Sequence, residues 1–161
     1  NQGSGLGQGA KATRWGEIAH TGKTFGGSGK NGESQASLIV GGTDTANDTP
    51  REIELNYGVD QYVPMENDTT NYFEVIVVGR NKDIDTESAA YKFEGVITRG
   101  TTAATTTIFG LVKTIVYEDV VAWDANVDAD TTNGRLRTKV TGVAATNIRW
   151  TMRIKFVQVK G

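Results

Sequence analysis

Val127-Asp-Ala-Asp-Thr-Thr-Asn-Gly-Arg-Leu-Arg-Thr-Lys-Val140 alternates polar and apolar residues on either side of an Asn-Gly pair. A period of two marks a strand buried on one face. Asn133-Gly134 is the preferred pair for a two-residue type I′ turn. If that turn closes the hairpin, Thr132 faces Arg135 and paired residue numbers sum to 267. Asp130 then lies opposite Arg137 and Asp128 opposite Lys139. On the other side Thr131 meets Leu136, Ala129 meets Thr138 and Val127 meets Val140. Opposite charges pair outside and smaller apolar groups inside, each pair contributing about 0.2–1 kcal/mol. A one-residue slip would carry Lys and Arg into the core.

The same texture extends on both sides of this hairpin. Strands are expected at Gln35–Val40, Glu52–Leu55, Tyr72–Val78, Tyr91–Thr98, Thr105–Tyr117, Trp123–Asp130, Arg135–Thr141 and Ile148–Val159. Tyr72-Phe-Glu-Val-Ile-Val-Val78 is almost continuously apolar, which predicts burial on both faces. Gly110 reads as a bulge or break. No window carries a helical stripe with caps. The expected fold is all-β, a β-sandwich or jelly roll of about eight to ten strands.

The first part of the chain is different. Twelve of its 20 glycines fall within Asn1 to Gly42, among few large apolar residues. Ordering such a stretch costs more backbone entropy than its own burial returns. The chain is therefore expected to divide into a Gly-rich extended segment, 1–45, held by neighbouring copies or serving attachment, and a β-sandwich domain, 46–161. The length, 161 residues and 17.3 kDa, points to one domain or to one domain with an appendage.

Composition excludes several functions. There is no Cys and a single His, so disulfides and most metal sites are excluded, and no cofactor is expected. Net charge is −2, which disfavours nucleic acid as a partner. No apolar run nears the roughly 18 residues of a membrane helix, and the start does not resemble a signal peptide, so no membrane insertion is expected. Glu118–Asp130 holds five acids and no base, whereas Arg135–Gly161 holds seven bases and no acid. Neighbouring strands that neutralise one another explain both runs better than a nucleic-acid patch.

The ligand motifs are near misses. Gly16 and Gly22-Lys23-Thr24 are separated by five residues where a P-loop needs four. Gly27, Gly29 and Gly32 fit G-x-G-x-x-G but lack the preceding strand and following helix. Asp124, Asn126, Asp128 and Asp130 resemble the start of a calcium loop, with Ala129 and Arg135 where Gly and Glu belong. His20 reads as a hydrogen-bonded structural group. Asp83, Asp85, Glu87, Glu118 and Asp119 would serve glycoside hydrolysis if two of them stood roughly 5–9 Å apart. Asn47 and Asn67 open glycosylation sequons, which mean little without a secretory signal.

Arg14-Trp-Gly-Glu17, Thr49-Pro-Arg-Glu-Ile-Glu-Leu55, Phe73-Glu-Val-Ile-Val-Val-Gly-Arg80 and Ala89-Ala-Tyr-Lys-Phe-Glu-Gly95 form one set of motifs. Glu118-Asp119, Trp123-Asp124, Val127–Thr131, Asn133–Leu136, Val140-Thr-Gly142 and Ile148-Arg-Trp150 form a second. In this order they resemble the C-terminal β domain of tail-fibre, tail-spike and related structural proteins of tailed bacteriophages, from about Arg14 onward. The resemblance implies a trimeric, β-rich, non-enzymatic virion protein, placed on the tail rather than the capsid surface. Its partners would be two further copies of itself, other phage structural proteins and host surface polysaccharide. Within it Trp123 and Trp150 read as core or interface aromatics, Asn133-Gly134 as the turn and Gly142 as a positive-φ position. Host attachment would fall to loops 56–71, 81–90 and 100–107, with Tyr57 and Tyr62 as candidate receptor contacts. The competing expectations are a capsid decoration protein (cement or head fibre), a tail-associated polysaccharide depolymerase and a monomeric secreted carbohydrate-binding module.

Overall fold

The computed structural model describes residues 3–22, 24–25, 30–56 and 61–161. Its strands are β1 (Ser4–Leu6), β2 (Ile18–His20), β3 (Ser34–Thr45), β4 (Arg51–Glu52), β5 (Val63–Pro64), β6 (Thr69–Asn81), β7 (Ser88–Arg99), β8 (Thr107–Glu118), β9 (Asp124–Asp130), β10 (Arg135–Thr141) and β11 (Ile148–Lys160), with one 3-10 turn at Ala103–Thr105. The fold is all-β and sandwich-like. The large sheet runs β1-β2-β3-β11-β6-β7-β8 and is antiparallel apart from β1 with β2. The small sheet is centred on β10, which pairs with β9 and with the short β4 and β5.

Period-two patterning explains the layers. Along β11, Ile148, Trp150, Met152, Ile154 and Phe156 are buried while Arg149, Thr151, Lys155 and Val157 are exposed. The buried set joins Phe73, Val75 and Val77 of β6 and Tyr91 and Phe93 of β7, and Val127, Leu136 and Val140 close over it from the small sheet. At its centre Trp123 meets Trp150 edge to face at 5.6 Å between ring centroids, and Trp150 Nε1 donates to Thr45 Oγ1 at 2.9 Å. Both tryptophans are core residues, each 1% exposed. Gly79 lies beneath the Trp150 ring, where an added Cβ would overlap it.

The hairpin forms with its faces as expected but in another register. Asp130 pairs with Arg135, Asp128 with Arg137 and Ala129 with Leu136, a sum of 265 rather than 267. The connection is the four residues Thr131–Gly134, not a two-residue turn. Gly134 N–H donates to Asp130 O at 2.8 Å with Gly134 at φ +64°, whereas Asn133 keeps a negative φ, which a type I′ turn forbids. The Asp130 carboxylate makes the difference. It accepts the amides of Thr132 (3.0 Å) and Asn133 (3.2 Å) and the Asn133 side-chain amide (2.8 Å), an Asx-type turn that competes with the tighter one. A shift of two keeps every side chain on its face, so the core pattern survives.

Four other expectations are corrected. The sheet runs across the boundary drawn at 45/46, because β3 is paired along its whole length with β11. Much of the Gly-rich segment also packs on its own chain. Arg14 and Glu17 are 1% and 0% exposed and bonded at 2.8 Å, with the guanidinium 4.8 Å from the Phe156 ring centroid. The Lys11 backbone and the Gln35 side chain exchange two hydrogen bonds. Gly142 has no positive φ; it is small because an added Cβ would crowd Thr45 Oγ1 at 2.6 Å and Asn47 O at 3.0 Å. Lastly, the apolar run of β6 is buried on one face only. Phe73, Val75 and Val77 point inward, while Tyr72 and Val78 are 46% and 48% exposed.

Candidate interaction surface

The small sheet covers one side of the large sheet and leaves the other in contact with solvent. On that outward side the register aligns Ala36, Val157, Tyr72, Val96 and Phe109 as a transverse apolar row from β3 to β8. Val157 is 62% exposed and Phe109 57%. Beside the row lies an open hollow of about 340 Å³, lined by Ile18, His20, Ala36, Leu38, Lys155 and Val157. The next rows carry charge: Glu74 meets Arg153 and Lys155, and Lys92 bridges Glu74 at 3.8 Å and Glu94 at 2.9 Å. The outward side is thus an apolar strip flanked by ion pairs closed within the chain.

β8 is the most exposed strand. It is the edge of the large sheet, none of its twelve residues is buried, and its other edge pairs with no strand among the described residues. Phe109, Leu111, Val112, Ile115, Val116 and Tyr117 are all between 44% and 62% exposed. The register places Phe109, Val112 and Tyr117 on the outward side, opposite Val96, Glu94 and Ala90. Lys113 and Ile115 stand on the inward side, opposite Phe93 and Tyr91, and Leu111 joins them by alternation. Gly110, at φ +60°, sits in one of two register shifts, the bulge expected there. Lys113 is held by the Asp124 carboxylate and lies 5.4 Å from the Tyr91 ring centroid. Glu118 accepts the Tyr91 hydroxyl at 2.6 Å; burial and this bond raise the tyrosine pKa.

The other candidate residues are distributed as follows. The acids of β9 face bases of their own chain. Asp128 pairs with Arg137 at 2.6 Å and Lys139 at 2.8 Å, and Asp130 with Arg135 at 2.7 Å. Burial pushes the Asp130 carboxyl up, but the Asn133, Arg135 and Thr132 hydrogen bonds outweigh it and hold the pKa at about 2. Glu52, 3.0 Å from Arg135, goes the other way, raised by burial to about 7. Among the described residues no group of three or more His, Asp or Glu could hold a metal ion.

Tyr62 lies against Arg135, its ring centroid 3.9 Å from the guanidinium carbon. Tyr57 lies outside the described residues, as do Lys23, Gly27 and Gly29 of the two glycine motifs. His20 is exposed on β2, opposite Ala36. Asp83 accepts from Asn147 at 2.7 Å and Glu87 from Asn81 at 2.7 Å, Asp85 is 3.7 Å from Arg80, and Asp119 accepts from Ser88 at 2.8 Å. A polar hollow of about 150 Å³ lies among Asp44, Arg51, Lys82, Asn147 and Arg149, with Arg149 and Asp44 3.9 Å apart. Sequence reading missed the buried Arg14–Glu17 pair and the double exposure of β8. The first had a signal, opposite charges three apart, with Glu17 the only acid before Glu33.

No protein-family model matches this chain, and a search of curated proteins finds no match either.

Proposed function

We propose that this chain is a non-enzymatic structural protein of a bacteriophage virion, a homotrimeric tail-fibre or tail-spike component that serves assembly and host attachment. One observation carries the reading. A long strand, β8, presents apolar side chains on both sides and a free edge, in a chain whose charges are largely paired internally. Such a surface fits a building block completed by other copies. The part completed by neighbours is thus β8 rather than the Gly-rich segment, much of which is seated on its own sheet. The motif resemblance supplies the class. Attachment to a host polysaccharide would fall to the loops between strands.

The test has two readouts. Light scattering on the purified chain at micromolar concentration should give the mass of three chains. An antibody raised against it should label the tails of purified phage particles. A single-chain mass, or particles without the protein, overturns the reading.

A further inference from the structure

We propose that Asn133-Gly134 is a site of spontaneous chain modification, deamidation through a cyclic imide, and that the Asp130 carboxylate is the lock that keeps it unreacted while the hairpin is closed.

The chemistry starts from the residue pair. In Asn-Gly the glycine amide nitrogen can attack the asparagine side-chain carbonyl carbon, because glycine has no Cβ to obstruct the approach. The new N–C bond forms as the bond from that carbon to Nδ2 breaks. Ammonia leaves, carrying the proton of the glycine amide. Water then opens the cyclic imide at either carbonyl, giving aspartate or isoaspartate. The only co-reactant is solvent. The chain has two such pairs, Asn31-Gly32 and Asn133-Gly134.

At Asn133 both reacting groups are held. The nucleophile, Gly134 N–H, donates to Asp130 O at 2.8 Å. The leaving group, Asn133 Nδ2, donates to Asp130 Oδ2 at 2.8 Å, and the Asn133 backbone amide donates to Oδ1 at 3.2 Å. Arg135 Nε at 2.7 Å and the Thr132 amide at 3.0 Å fix the carboxylate itself. From the other side Arg99 Nη1 donates to Gly134 O at 3.0 Å, and Gly134 is buried. Attack needs the Asn133 side chain over the glycine nitrogen and that nitrogen freed from its acceptor. These bonds have to break together, so the reactive geometry is reached through local opening of the hairpin. Asn31 has half of this protection. Gly32 N–H donates to Gly9 O at 2.8 Å, but Asn31 is exposed and no hydrogen bond among the described residues engages its side chain.

The product also bears on the turn. It replaces the Asn133 donor with a second carboxylate beside Asp130, and the two compete for Arg135. Like charges in contact disfavour the closed arrangement. A hairpin that opens long enough to react therefore does not reclose as before, and the modification records the opening.

The folded protein and the same chain in guanidinium chloride, incubated in mildly alkaline buffer and followed by peptide mass spectrometry, test this. In denaturant Asn31 and Asn133 should convert at similar rates, since each precedes Gly. In the folded protein Asn133 should convert at least about tenfold more slowly than in denaturant, and more slowly than Asn31. Asp130→Ala should return Asn133 toward the denatured rate while the emission of the buried tryptophans stays native. If that chain does not fold, Asp130→Asn replaces it, and Asn133 should then convert at a rate between wild type and denatured. Equal rates for Asn133 in the folded and denatured chain overturn the lock. A folded Asp130 variant in which Asn133 stays as slow as in wild type assigns the protection to the backbone bond and Arg99, and overturns the role of the carboxylate. No conversion of Asn133 in denaturant overturns the site.

Discussion

The β9–β10 hairpin and β8 are built from the same kind of sequence and come to opposite ends. In the hairpin, Leu136, Thr138 and Val140 are buried, and the charges on the other side meet partners one strand away. In β8, Ile, Leu, Val, Phe and Tyr fall on both sides; the outward side is uncovered among the described residues, and the inward side is covered only in part, by Asp124 over Lys113 and by the core beside Ile108. The hairpin closes its polar and apolar requirements inside one polypeptide. β8 closes only its ladder with β7 and leaves the apolar requirement open. Internal pairing of charge beside unpaired apolar surface is therefore the contrast on which the proposed assembly rests, and it can be attacked from either end.

The largest effect belongs to the closed end. Trp150→Ala removes the ring that packs on Trp123 and Tyr91 and leaves a cavity at the centre of the sandwich. It should cost about 4 kcal/mol in urea denaturation. A cost under about 1 kcal/mol would mean that the small sheet does not seal the large one. Glu17→Ala comes next. It leaves the buried Arg14 without its carboxylate partner and should cost about 3 kcal/mol. No loss would show that the Gly-rich segment is not seated on this sheet.

The hairpin was legible because both of its signals are local: period-two alternation and a turn residue with positive φ. The error of two in register has a local cause too, since Asp130 outcompetes Asn133 for the turn amides. The long strands were legible for the same reason, and β1, β2 and β5 were not, because two or three residues carry no period. The Arg14–Glu17 pair was hidden by counting apolar residues alone. The outward side of β6 misled in a more instructive way. Tyr72, Ile76 and Val78 have the pattern of a strand covered twice, and one chain supplies one cover. Alternation reports that a side wants burial but not whose atoms bury it, so the candidate surface was visible only once the small sheet was seen to stop short of it.

Asp130 offers a graded test. Its carboxyl is held at about 2 against an ordinary value of 3.8, so its contribution is complete above 3.8 and is lost as pH falls through 2. Asp130→Asn should cost about 2 kcal/mol near pH 6, and the gap to wild type should close toward pH 2. A gap independent of pH would separate the turn from the charge. Glu52 titrates in the opposite sense. Its folded pKa is raised to about 7, so its contribution is present below 4.5 and declines as pH rises through 7. Tyr62→Leu, which removes the ring stacked on Arg135, should cost about 1 kcal/mol. If it costs nothing while host adsorption falls, the tyrosine serves the receptor and not the fold.

The smallest effect is the sharpest. In a monomeric chain, such as L111K/I115K is designed to give, replacing Phe109 with Thr should change the free energy of urea unfolding by less than about 0.5 kcal/mol, because the ring is already 57% exposed. If the proposed trimer forms, its unfolding midpoint depends on protein concentration, and the same Phe109→Thr change should lower it. A residue that matters to the assembly and not to the subunit is the opposite of Trp150, which matters to both. If Phe109→Thr destabilises the monomer by 2 kcal/mol or so, the ring is held by its own chain and the contrast between β8 and the hairpin disappears.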